Sequence, residues 1–252
     1  MSTLLAFFEV TIRNRIHLQM SRYTSHGTSQ SSHWYDHLAR QLKPTTVRKI
    51  VDVRTKMTPR VPSPDEIVSR VTFGFWSAIL GQVPQNRGIF EQIFPHHPLS
   101  QPGTARGWSD RTARSHALSF MFELNDFRNR VAHHEPLWKF PPVQATNTPA
   151  LPGSISEADS LYRLNRILNL IDSTVHAIEP QLQADMAAAS WRRKLNFLLS
   201  PRGIQRYKNM KHAPKPNSAT PAEFRRSFSL YVKSNQPVFV KRSRVSGIFI
   251  PD

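Results

Sequence analysis

The chain has 252 residues, 39% of them apolar, with 34 Lys plus Arg against 17 Asp plus Glu and a formal net charge of +17. It contains no cysteine, which excludes disulfides, thiolate nucleophiles and zinc–thiolate sites. No apolar run approaches the roughly 20 residues that a membrane-spanning helix needs, and the first apolar block precedes its arginines, the reverse of a secretory signal.

A soluble, cytoplasmic protein with no membrane contact is therefore expected. Apolar positions at helical spacing predict a first helix over 3–22, through Leu4, Leu5, Phe8, Val10, Ile12, Ile16 and Leu18. "TSHGTSQSSH" (24–33) reads as a polar loop, and a short helix is expected in "WYDHLARQL". The next helix, "TVRKIVDVRTKM", is expected to be capped by Thr45 or Thr46. The clearest start in the chain follows at "SPDEIVSRVTFGFWSAIL", where Ser63 caps, Pro64 takes the first helical position and Glu66 closes a capping box. Its bulky apolar face reads as core. "QNRGIFEQIFPHHPLSQPGTARG" begins with a helical turn and breaks at Pro95 and Pro98.

Residues 107–137 read as one helix, 139–154 as a proline-rich loop, and 155–180 as a long amphipathic helix ended by Pro180. Beyond Pro180 the composition changes. Residues 181–252 hold 14 Lys plus Arg and 3 Asp plus Glu, whereas residues 1–180 hold 20 and 14. One further helix, "QLQADMAAASWRRKLNFLL", is expected there, then a basic loop over 200–223 and a hairpin in "PVFVKRSRVSGIFI". The fold class is all-α, a helical domain over 1–180 followed by a basic C-terminal extension over 181–252. The charge calls for a polyanionic partner, and nucleic acid is the most abundant.

Chemistry concentrates in "RNRVAHHEPLW" (128–138). An Arg followed five to seven positions later by a His is cheap, since 24 arginines and 11 histidines occur in the chain. Such pairs also start at Arg111 and Arg206, so spacing alone decides nothing. Arg128 differs in context, because its polar cluster interrupts an apolar helical pattern, where unpaired charge is costly to bury. On a continuous helix Arg128 and His133 point about 140° apart, whereas Asn129 and His133 share a face, as do Arg130 and His134. Either the helix deforms there, or a second copy supplies the same groups across a groove, as in a two-fold dimer.

Histidine exchanges a proton near neutral pH, and the arginine fork binds a phosphate and its developing charge. Together these suit RNA cleavage without metal. A histidine takes the 2′-hydroxyl proton, that oxygen attacks the adjacent phosphate, and a 2′,3′-cyclic phosphate and a 5′-hydroxyl result. DNA lacks the hydroxyl and is spared. The pairs His96–His97 and His133–His134 do not have recognised metal-ligand spacing, so no metal and no cofactor are expected.

"FRNRVAHHEPLW" resembles the C-terminal motif of the Abi-like (abortive infection) family of the HEPN superfamily, helical ribonucleases and RNA-binding modules. "FEVTIRNRIH" (8–17), with Glu9, Arg13 and Asn14, is similar to the family's N-terminal signature. "IVSRVTFGFWSAIL" (67–80) is similar to its central helix, and "IFP" (93–95) follows in order. The family usually has another helix ahead of this signature, and here the chain begins almost at it, which reads as a shortened start.

The resemblance implies a dimeric endoribonuclease of a phage-defence or toxin–antitoxin type, restrained by an antitoxin of protein or RNA. By the same resemblance Arg128 and His133 are catalytic, with Asn129 and His134 completing the motif. Arg130, Arg13 and Asn14 are candidate RNA contacts, although Arg13 at four residues from Glu9 equally suits a structural ion pair. The alternative reading is a catalytically inactive HEPN-type module that binds RNA or protein.

Overall fold

A computed structural model describes residues 1–57, 59–82, 88–103, 107–143, 151–212, 218–234, 238–242 and 245–249. They form two compact units, Met1–Ala187 and Ala188–Asp252.

Among the described residues the regular structure of the first unit is helical, apart from one isolated bridge between Val143 and Leu151. Its helices are α1 (Ser2–Thr24), α2 (Trp34–His37), α3 (Pro44–Met57), α4 (Pro64–Arg70), α5 (Phe73–Leu80), α6 (Ile89–Ile93), α7 (Arg111–Leu118), α8 (Phe120–Ala132), α9 (Glu157–Ile178) and α10 (Pro180–Ala188). Leu4, Phe8, Ile12, Ile16 and Met20 of α1 are all at most 1% exposed. A strict four-residue step advances about 40° per turn, so five such residues sweep about 160° of the helix surface. This sweep explains why α1 packs against α2 and α5 as well as α6 and α9. Val10, on the other side, is 43% exposed although the apolar pattern assigned it to the core. The aromatic centre is built from Trp34, Phe75 and Trp76, with ring centroids 5.0–6.5 Å apart. The Trp76 indole N–H is buried without a partner among the described residues.

The capping box at the start of α4 forms as expected, with Ser63 accepting from the Glu66 amide and Glu66 reaching back to the Ser63 amide. The single helix expected beyond it divides, because Val71 and Thr72 adopt extended backbone and Thr72 starts α5 afresh. The helix expected over 107–137 is likewise three pieces: a 3-10 turn at Gly107–Ser109, then α7 and α8 meeting at Ser119. Thr45 and Thr46 lie inside α3, which starts at Pro44, and Thr46 is buried, where its hydroxyl accepts from Gln82.

In the second unit, α11 (Ser190–Leu198) packs on α12 (Pro201–His212). Part of the basic loop expected over 200–223 is therefore helix, with Pro201 at its first position, where a missing N–H costs nothing. Gly203 permits the packing, since a Cβ there would stand 2.1 Å from the Phe197 carbonyl oxygen. Then come β1 (Ser218–Ala219), α13 (Pro221–Arg226), α14 (Phe228–Ser234), β2 (Val238–Arg242) and β3 (Val245–Phe249). β2 and β3 are the expected hairpin, antiparallel from Val238 opposite Phe249 to Arg242 opposite Val245, and β1 pairs parallel with β2. The turn residues 243–244 lie outside the described residues. The chain is thus predominantly helical, with its small sheet confined to this unit.

Candidate functional site

The motif sits at the C-terminal end of α8. Met121, Leu124 and Phe127 are buried and fix one side of this helix against the core, so the intervening residues are turned outward. Arg128 is half-exposed. Its Nε lies 3.7 Å from Glu9 Oε2 on α1. Glu9 thus pairs with Arg128 and not with Arg13, whose Nε instead reaches the Asn14 side chain at 3.4 Å. Arg13 stands one helical turn past Glu9 on the same side of α1, half-exposed, and Asn14 is exposed.

α8 ends in a Schellman turn. The Glu135 amide donates to the Arg130 carbonyl at 2.9 Å and the His134 amide to the Val131 carbonyl at 3.2 Å. His134 occupies the left-handed position with φ of 55°, where glycine is usual. His133, the capping residue, keeps near-helical backbone, its amide donating to the Asn129 carbonyl at 2.9 Å. The helix therefore does not deform between Arg128 and His133, and their side chains leave it in different directions. Both imidazoles are exposed. Among the described residues no hydrogen bond or ion pair links the side chains of Arg128, Asn129, His133 and His134.

Arg130 is placed differently from the phosphate contact expected of it. Its side chain is 14% exposed. Nε donates to Glu135 at 3.2 Å, and Nη2 donates to the carbonyls of Pro136 at 2.6 Å and Lys139 at 2.5 Å. Its guanidinium also lies over the Phe140 ring at 4.9 Å, with Arg163 over the same ring at 5.1 Å. Arg163 donates in turn to the Pro152 carbonyl at 3.2 Å. Prolines bring carbonyls but no N–H to match them, and the two arginine forks supply the missing donors to this proline-rich loop. Arg130 Nη1 is buried without a partner among the described residues. Nearby, burial raises the Asp126 carboxyl above its ordinary value.

The N-terminal signature is similarly mixed. Arg15 donates to the carbonyls of Gln92 at 2.5 Å and Ile93 at 3.3 Å, closing the end of α6. His17 is buried, its Nδ1 accepting from the Trp34 indole at 2.9 Å and its Nε2 facing Ser31 at 3.1 Å and Asp65 at 3.3 Å. An Nδ1 that accepts carries no proton, so His17 is the neutral tautomer with hydrogen on Nε2. Burial lowers its pKa, and Asp65 only partly opposes this.

The chain matches no family model, no curated protein and no solved structure.

A larger feature of the same unit was not visible in the sequence. A cleft of about 720 Å³ opens between the 94–98 segment, Trp108, α7 and α9. Four of the 11 histidines of the chain, His96, His97, His116 and His176, line it, beside Arg166. His96 and His97 stood out only as an adjacent pair, and His116 only as one end of a chance Arg–His spacing. Three separate stretches of chain bring them together, which no local pattern records. Among the described residues no group of three or more His, Cys, Asp or Glu is arranged to hold a metal ion. Nor is any described helix long and apolar enough to cross a membrane.

Proposed function

We propose that this protein is an endoribonuclease that cleaves RNA without metal, with a composite site made by two copies of the α8 end. The observation that carries the reading is the surface at that end. Arg128 is held by Glu9 yet half-exposed, and one turn on, two exposed imidazoles close the helix. A single copy sends Arg128 and His133 in different directions, so a second copy facing the first supplies the missing partner for each.

In the proposed reaction His133 takes the proton from the 2′-hydroxyl, and O2′ attacks phosphorus as the P–O5′ bond breaks. The departing 5′ oxygen gains a proton, leaving a 2′,3′-cyclic phosphate. Arg128 neutralises the charge on the phosphate oxygens. Asn129 orients the base or a sugar hydroxyl. His134 shapes the turn that presents His133, and Arg13 and Asn14 extend the basic surface towards the RNA. The sequence resemblance extends the proposal to a defence or toxin role under the control of an antitoxin.

Purified protein with labelled RNA, beside His133→Ala and Arg128→Ala, tests it. Each variant is expected to lose roughly 10²–10⁴-fold in cleavage rate, with a cyclic-phosphate product from the native chain and no cut in DNA of the same sequence. Equal cleavage by all three proteins would sink the proposed site. RNA binding by the native chain without cleavage would favour the silent binding module. Sedimentation is expected to show a dimer, and a strict monomer that still cleaves overturns the composite site.

A further inference from the structure

We propose that the histidine-lined cleft is a second site, separate from the end of α8, that binds the phosphate and base of a nucleotide. None of Arg128, Asn129, Arg130, His133 or His134 lines it. Its volume of about 720 Å³ lies within the range of roughly 300–1,000 Å³ that small-ligand clefts occupy.

The walls are fixed before any ligand arrives. The His96 amide donates to the Ala177 carbonyl at 2.9 Å, pinning the 94–98 segment to the end of α9. The Leu99 amide donates to His97 Nδ1 at 3.1 Å, and the His97 ring lies 4.7 Å from Trp108. Trp108 is itself stacked on Phe90 and Phe94 and donates to Ser100 at 2.8 Å. Arg166 is locked by a bidentate pair with Glu123, at 2.9 and 3.0 Å.

The chemistry of the lining is one-sided. Arg166 and four imidazoles face the cleft, and among the described residues that line it none is acidic. Glu123 already neutralises Arg166, and His97 Nδ1 accepts from the Leu99 amide, which leaves its hydrogen on Nε2, so the donors open to an anion are His97 Nε2 and the exposed His96, His116 and His176. Each offers an N–H donor that a phosphate oxygen accepts. Apart from the hydroxyls of Ser119, Ser173 and Thr174, the rest of the wall is apolar and aromatic, with Phe120 half-exposed in it. An aromatic face gives a planar base something to stack on whatever its identity. Imidazole donors beside an aromatic wall fit a nucleotide better than a bare inorganic anion.

Titration calorimetry on the full chain tests this with AMP, adenosine and inorganic phosphate, none of which the proposed nuclease consumes. AMP is expected to bind at one site per chain, and adenosine and phosphate each about tenfold or more weakly. The double variant His116→Ala, His176→Ala is expected to weaken AMP about tenfold, and Phe120→Ala to weaken AMP while leaving phosphate unchanged. The histidines are exposed, so thermal melting of the double variant should match the native chain. AMP bound no more tightly than phosphate overturns the proposal, and so does equal AMP binding by the folded double variant. On a His133→Ala background, a 5′-phosphorylated trinucleotide that binds like AMP makes an RNA strand end the ligand, and one that is excluded makes it the free nucleotide. Cleavage is not read in any arm, so failure here leaves the nuclease proposal standing, and the reverse also holds.

Discussion

Arg128 and Arg130 stand two residues apart on one helix and do different work. Arg128 meets a carboxylate at the surface, whereas Arg130 holds the proline-rich loop through two carbonyls and Glu135. Replacing Arg130 with Ala removes these donors at once and is expected to cost about 2 kcal/mol, read as a lowered urea midpoint. Lysine should restore little, because a single ammonium cannot span the fork's contacts. An unchanged midpoint in Arg130→Ala would return Arg130 to the RNA-facing role expected from sequence. His17 sets a pH dependence. Its folded pKa lies below the unfolded value, so the unfolded chain binds more protons in that interval. The stability it contributes is whole above about pH 6.5 and falls as acid carries the pH down through the folded pKa. His17→Gln should be less stable at pH 7 and lose that slope in denaturation series between pH 7 and 5. A slope that survives the substitution belongs to other groups.

Elements show where local pattern stops being informative. Gly203→Ala drives a methyl group into the Phe197 carbonyl and is expected to cost about 1–3 kcal/mol by forcing α11 and α12 apart. Circular dichroism melting would read it, and a neutral outcome would mean the two helices do not pack this closely. The helices themselves were legible from apolar spacing and from the Ser63 box. The breaks at Val71–Thr72 and at Ser119 were not, because neither carries the Gly or Pro that marks a local stop. α12 was hidden for the opposite reason, since Pro201 and Gly203 read as loop although one is a helix starter and the other a packing contact. The candidate site was legible as far as sequence-adjacent residues reach. Glu9 pairing with Arg128 was not, because the four-residue rule offered Arg13 and only tertiary packing brings Arg128. The histidine cleft depends wholly on such packing.

At the scale of the whole molecule, charge is the property that binding experiments will feel first. Residues 181–252 hold 14 Lys plus Arg and 3 Asp plus Glu, and each phosphate they neutralise releases a counterion. RNA affinity is expected to fall steeply between 50 and 200 mM salt, by roughly 10³-fold if about six phosphates are contacted. Removing residues 188–252 should weaken RNA binding and flatten that salt slope while leaving the α8 end intact. Unchanged affinity after the deletion would make the basic unit irrelevant to RNA.

The pairing of Glu9 with Arg128 joins α1 to α8 across most of the helical unit. During synthesis the acidic partner leaves the ribosomal tunnel first and waits while α2 to α7 are made. The guanidinium arrives only after those helices, and α9, which packs on α8, comes later still. A nascent chain that ends before α8 therefore carries Glu9 without its partner, and the helical unit closes only once α9 has been made.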